Sequence, residues 1–177
     1  MRRHPANREG GGVMQNIDLS QALIDTWRTN NRVTVYLFEN LPEEVWPEKV
    51  PGAPRRTVRM IAGHIHNCRC MWVKTLGRKH GIEAPPPVDR HRVACRQLLP
   101  ALERSSRGIT QLLELGVDQG GKLSGFPPGV VHFMAYHVAH EGHHRGQIVM
   151  LARQLGHRLP GEVTAGLWQW SKRSKET

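Results

Sequence analysis

Several things are scarce in this sequence, and each scarcity closes off a class of protein. No apolar run approaches the roughly 20 residues that a helix needs to cross a bilayer. Cysteine occurs three times, at Cys68, Cys70 and Cys95. So few, and an odd number, do not build a disulfide frame, and they read as reduced thiols. The opening stretch MRRHPANREGGGVMQN is basic but carries no apolar core, so no secretory signal is read there and a cytoplasmic location is expected. Acidic residues are outnumbered, 15 Asp and Glu against 25 Lys and Arg, for a net charge of +10. A surplus of that size invites a nucleic-acid partner. The basic residues are scattered along the chain, however, with no dense block and no recognised motif. They read as a solvated basic surface, with attraction of small anions as a weaker option.

What is present is a set of helical patterns. The 177 residues suit one domain, long enough to bury a core without a staple. Residues 1–16, with Gly10, Gly11 and Gly12, read as a disordered basic tail. The domain proper is expected over 17–171, with 172–177 frayed. A first helix is expected over 18–40, capped by Asp18 or Ser20, with Leu23, Trp27, Val33, Leu37 and Phe38 as its buried stripe. LPEEVWPEKVPGAP breaks the pattern. A second helix is expected over 57–76. A third is expected over 89–115, kinked or interrupted at Pro100, and a fourth over 128–156. A short helix over 163–170 follows, with Trp168 and Trp170 docked on the bundle. No run reads as a strand, and no repeat is visible. The fold expected is all-α, a four-helix bundle with a short C-terminal helix.

The fourth helix holds the densest chemistry, HEGHHRGQI, residues 140–148. At about 100° per residue, Val130, Phe133, Ile148, Leu151 and Leu155 share one face. His137, His140 and His144 fall in the middle of it, Glu141 at its edge, and His143 opposite. Buried imidazoles need partners. A spacing of four lets His140 and His144 reach one metal ion. A third ligand must come from elsewhere. In RMIAGHIHNCRCMW of the second helix, Val58, Ile61, Ile65, Cys68 and Trp72 form the apolar stripe, with His64 on its flank. His64 is the better third ligand and Cys68 the runner-up; His66 lies away from the stripe, toward solvent or a neighbour. His137 is a spare candidate, better read as a neutral core histidine. His140, Glu141 and His144 also satisfy H-E-x-x-H, the metalloprotease pattern in which the glutamate is the general base. Gln147 and Met150 stand where the longer form of that motif has glycine and histidine, which argues against a protease.

With these residues assembled, the chain resembles the DinB/YfiT-like family over nearly the whole domain. The likeness rests on RTVRMIAGHIHNCRCMW, on YHVAHEGHHRGQIVMLARQLG and on the closing GEVTAGLWQW. It implies an up-down-down-up bundle, often a homodimer, with His64, His140 and His144 on a divalent ion, zinc or nickel. It also implies the family's range of activities, metal-dependent hydrolases and S-transferases of low-molecular-weight thiols. A three-histidine site leaves an open position for water or a thiol. Glu141 is then the candidate base if it turns toward that site, and Arg145 the candidate holder of an anionic substrate group. The expected partners are a small-molecule substrate, a low-molecular-weight thiol among the options, and a second copy of the chain, with neither membrane nor nucleic acid. Because Glu141 lies at the edge of the face, thiol transfer is favoured over hydrolysis. A non-catalytic metal-binding or stress-response protein is the remaining reading.

Overall fold

A computed structural model describes residues 17–176. The tail expected over 1–16 lies outside the described residues, as does Thr177. The protein is mostly helical, with four long helices: α1 (Leu19–Glu39), α2 (Val58–Trp72), α3 (Cys95–Asp118) and α4 (Val130–Gln154). Two short ones follow, α5 (Gly161–Gly166) and α6 (Trp170–Arg173). No helix among the described residues is long and apolar enough to cross a membrane.

Local chemistry sets the boundaries. Asp18 caps α1, its Oδ1 accepting from Ser20 N at 3.0 Å and Gln21 N at 3.1 Å. Thr57 caps α2 through Met60 N. The helix α3 starts six residues later than expected. Asp89 first closes a turn of its own, accepting from the amides of His91, Arg92 and Val93, and the Gln97 side chain then accepts from Ala94 N at the true start. α3 also runs on through Pro100 instead of stopping there. The absence of strands needs correcting: β1 (Lys49–Val50) pairs antiparallel with β2 (Ala53–Thr57). Pro51–Gly52 turns between them, Gly52 at φ +75°, a conformation glycine adopts without penalty.

Contacts between the long helices run in consistent order. From α1 to α4, Trp27 meets His137, Asn30 meets Glu141 and Thr34 meets Arg145. From α1 to α3 the order reverses, Trp27 bonding Ser106, Asn31 bonding Glu103 and Phe38 meeting Cys95. From α2 to α4 it reverses too, His64 lying by His144, Arg69 by Glu141 and Trp72 by Phe133.

The core has two apolar halves. One gathers Phe38, Trp46, Ile61, Leu98, Leu102 and Ile148. The other gathers Trp27, Val73, Ile109, Leu112, Val130 and Phe133. Each long helix contributes to both, and between its two contributions each carries buried polar residues: Asn30, Asn31 and Thr34 on α1, Arg69 on α2, Ser105 on α3, Glu141 and Arg145 on α4. A polar layer therefore crosses the interior, and the histidines belong to its level.

The tail packs differently from expectation. Trp168 does not dock; it is 84% exposed. Gly166 makes the contact instead, lying so close to Tyr36 that a Cβ there would fall 2.5 Å from the phenol oxygen. Trp168 is thereby carried past the bundle, while Trp170 is half-buried. In the stretch read as frayed from the sequence, Arg173 stacks over the Tyr36 ring and Glu176 pairs with both Arg32 and Arg173.

Candidate metal centre

α2 and α4 cross so that one histidine of the first faces two of the second. His64 Nε2 lies 3.2 Å from His140 Nε2, which lies 3.2 Å from His144 Nε2. Ligand atoms of all three fall within 4.8 Å of one another. Two imidazole nitrogens on one tetrahedral zinc sit roughly 3.3 Å apart, given Zn–N bonds of about 2.0–2.1 Å. The spacing is therefore that of a ligand set.

Hydrogen bonding supports the same use. His144 Nδ1–H donates to Gln147 Oε1 at 2.9 Å, and Gln147 Nε2 donates to His143 Nε2. With its proton held on Nδ1, His144 turns an Nε2 lone pair toward the cluster. His140 Nε2 faces two ring nitrogens but can donate to only one, and its buried Nδ1 has no partner. Burial holds all three rings neutral: it lowers His64, helped by Arg90 and Arg56, lowers His140, helped by His64, and lowers His144 to about 4. Neutral imidazoles converging without an acidic partner form a cradle suited to a cation.

Glu141 and Arg145 are placed elsewhere than expected. Glu141 is not at an edge but fully buried. Its carboxylate accepts from Arg69 Nε at 2.7 Å and Nη2 at 2.8 Å, from Asn30 Nδ2 at 2.9 Å and from Thr34 Oγ1 at 2.8 Å. Burial alone would raise its pKa; the charge and hydrogen bonds of Arg69, with Arg145 behind them, hold it low, at about 2. Arg145 is buried too, donating to Asn30 Oδ1 at 3.0 Å and Thr34 Oγ1 at 2.7 Å. Both side chains are spent on the polar layer. Sequence reasoning missed Arg69, though a signal was there: it stands where the series Ile61, Ile65 arrives one turn later.

The other candidates separate clearly. Cys68 is buried, its Sγ 3.9 Å from Tyr136 Oη, and it is not in the histidine group. Tyr136 stacks on His140, the ring planes 15° apart. His137 is a core histidine among Trp27, Phe133 and Tyr136, neither ring nitrogen partnered, and burial lowers its pKa to about 3. His66 does not face solvent: it is fully buried, bonded to Ser105 Oγ at 3.0 Å and to Pro86 O at 3.1 Å. His143 is exposed, as its place on the helix required.

A search of curated proteins finds no match to the chain. The model of the DinB family matches residues 125–174, a segment that holds α4 with His140 and His144, together with α5 and α6, and leaves His64 outside it. Over that segment the chain is similar to the DinB family.

Proposed function

We propose that the protein is a metal-dependent thiol S-transferase in which His64, His140 and His144 hold zinc or nickel. The observation that carries this is the convergence of the three Nε2 atoms in a group that, among the described residues, has no fourth member. Such a site keeps a position open for a reactant, where a structural zinc site is closed by four protein ligands. Bound there, a divalent ion supplies Lewis acidity that favours the anionic, nucleophilic form of a thiol or of water near neutral pH. The chain's own part is to present neutral imidazoles, to fix the His144 ring through Gln147, and to wall the site with Tyr136.

The choice of thiol over water rests on Glu141. Hydrolysis asks for a base beside the attacking water. Glu141 is the acidic group nearest in sequence to the ligands, yet Arg69 grips both its oxygens and its proton affinity is low. A metal-dependent hydrolase is the second reading, and a non-catalytic metal-binding stress protein the third. The contact order among the long helices supports an up-down-down-up bundle. The three free cysteines accord with a cytoplasmic setting. Exposed Trp168 beside exposed Met150 supports a homodimer.

The test supplies metal-loaded protein with several cellular thiols and monochlorobimane. Conjugation above the uncatalysed rate, lost in His144→Ala, is expected. No rate with any thiol, beside metal-dependent hydrolysis of an ester or amide that fails in Glu141→Gln, would favour the hydrolase. Neither activity would leave a metal-binding protein without catalysis.

A further inference from the structure

We propose that Arg55, Arg56 and Arg90 form an anion platform beside His64, so that the reactant taken by this site is a small molecule bearing a carboxylate or a phosphate. The link to reaction rests on the function proposed above; the platform itself does not.

A cavity of about 580 Å³ opens next to the histidine group, and His64 belongs to its wall. Arg55 and Arg56 reach it from β2, Arg90 from the loop before α3, and Pro54 and Met60 give it an apolar side. Arg90 and Arg56 are close enough to His64 for their charges to act on its ring. One wall of the cavity is thus a candidate metal ligand, and three arginines share the rest with Ala53, Pro54 and Met60.

The backbone segments that carry the exposed arginines are held in place. The hairpin is tied to the start of α2, Val58 N donating to Glu48 O at 3.1 Å and Arg59 N to Trp46 O at 2.9 Å. The loop carrying Arg90 is clamped along α2. Asn67 Nδ2 donates to Val88 O at 3.0 Å, Val88 N donates to Asn67 Oδ1 at 2.9 Å, and His66 Nε2 bonds Pro86 O. Gly63, the residue before His64, makes room for this. A Cβ at that position would lie 3.0 Å from Arg90 Cβ and 3.2 Å from its Cα. Absence of a side chain on α2 therefore lets the Arg90 backbone rest against the helix one residue from the ligand.

Charge is left unbalanced in this cavity beside the site. Arg28, Arg32, Arg69, Arg92, Arg145 and Arg173 each pair with a carboxylate. Among the described residues, no carboxylate pairs with Arg55, Arg56 or Arg90. The nearest acid in sequence, Asp89, is engaged by His91 N and Arg92. Three unpaired guanidinium groups around one cavity repel each other until an anion arrives, and a guanidinium presents a fork that matches a carboxylate or phosphate. An anionic group seated there leaves the rest of a small reactant pointing at the histidine nitrogens. Arg145, the holder expected from sequence, cannot do this because it is spent on Asn30 and Thr34.

The test titrates metal-free protein with inorganic phosphate and follows the Arg Nε–H and His ring resonances by NMR. Saturable shifts are expected at Arg56, Arg90 and the His64 ring. The exposed pair Arg56→Gln/Arg90→Gln should weaken phosphate binding at least about tenfold. Arg153→Gln/Arg158→Gln, which removes equal charge on another face, should leave it within about twofold. Far-UV circular dichroism checks that both variants fold. Undiminished binding in Arg56→Gln/Arg90→Gln, or an equal loss in the distant pair, would overturn the platform. Elemental analysis of the same samples keeps the two readings apart. Phosphate bound at the platform without metal uptake by the wild-type protein sinks the function proposed above and leaves the platform standing; the reverse pattern does the opposite.

Discussion

Arg69 and Glu141 face each other across the interior with two parallel bonds, Nε to Oε1 at 2.7 Å and Nη2 to Oε2 at 2.8 Å, and both side chains are essentially sealed from water. The pair sits among Asn30, Asn31, Thr34 and Arg145, so nearly every charge and lone pair is used. It joins α2 to α4, the two helices that carry the histidines, within a turn or two of His64 and His140.

Breaking such a pair leaves an uncompensated buried charge. Arg69→Met should therefore cost about 3–5 kcal/mol of stability. Urea denaturation monitored by tryptophan fluorescence would read this as a lower midpoint. A loss under about 1 kcal/mol would mean that Glu141 finds other neutralisation, Arg145 being nearest at 3.7 Å.

His137 makes the stability of the fold depend on pH. Burial holds its folded pKa near 3, below the unfolded value of 6.5. Between these values the unfolded chain binds a proton that the folded chain refuses, so stability falls as pH drops below about 6.5. His137→Leu removes that term and two unpartnered ring nitrogens. The variant should be more stable by roughly 1–3 kcal/mol at neutral pH and should lose less stability between pH 7 and pH 5. Equal pH slopes for the two proteins in thermal melts would show that His137 has a partner in solution.

The three clustering histidines were legible because helix periodicity reports them directly. His140 and His144 interrupt an apolar stripe at a spacing of four, and His64 flanks another. The polar layer was not legible, because its satisfaction is tertiary. Glu141 looks marginal on a wheel drawn for one buried face; α1 and α2 both cover α4, and the buried arc widens to include Glu141 and Arg145. The wheel left His66 facing solvent or a neighbour, and the neighbour it has, α3 and a loop, is one that no wheel of α2 contains. The hairpin at 49–57 hid among prolines, and its one local signal was Pro51–Gly52. Trp168 looked like an anchor by residue type alone, whereas its exposure follows from where Gly166 seats the chain.

The assembly prediction rests on that exposure. Trp168 and Met150, 84% and 61% exposed, line one groove along α4 and α5, where Gly142 and Gly146 leave the helix surface low. Sedimentation across micromolar concentrations should return the mass of a dimer, and Trp168→Ala should shift it toward monomer. A monomer throughout would contradict the reading.

Three converging imidazoles predict a definite metal content. Purified protein, loaded and then dialysed, should hold about one divalent ion per chain by elemental analysis. His64→Ala, His140→Ala and His144→Ala should each lose most of it, since each removes one of three converging nitrogens. His143→Ala and His66→Ala should keep it, because the first ring is exposed and the second is turned to Ser105 and Pro86. Full occupancy in His140→Ala, whose ring lies between the other two, would contradict the site.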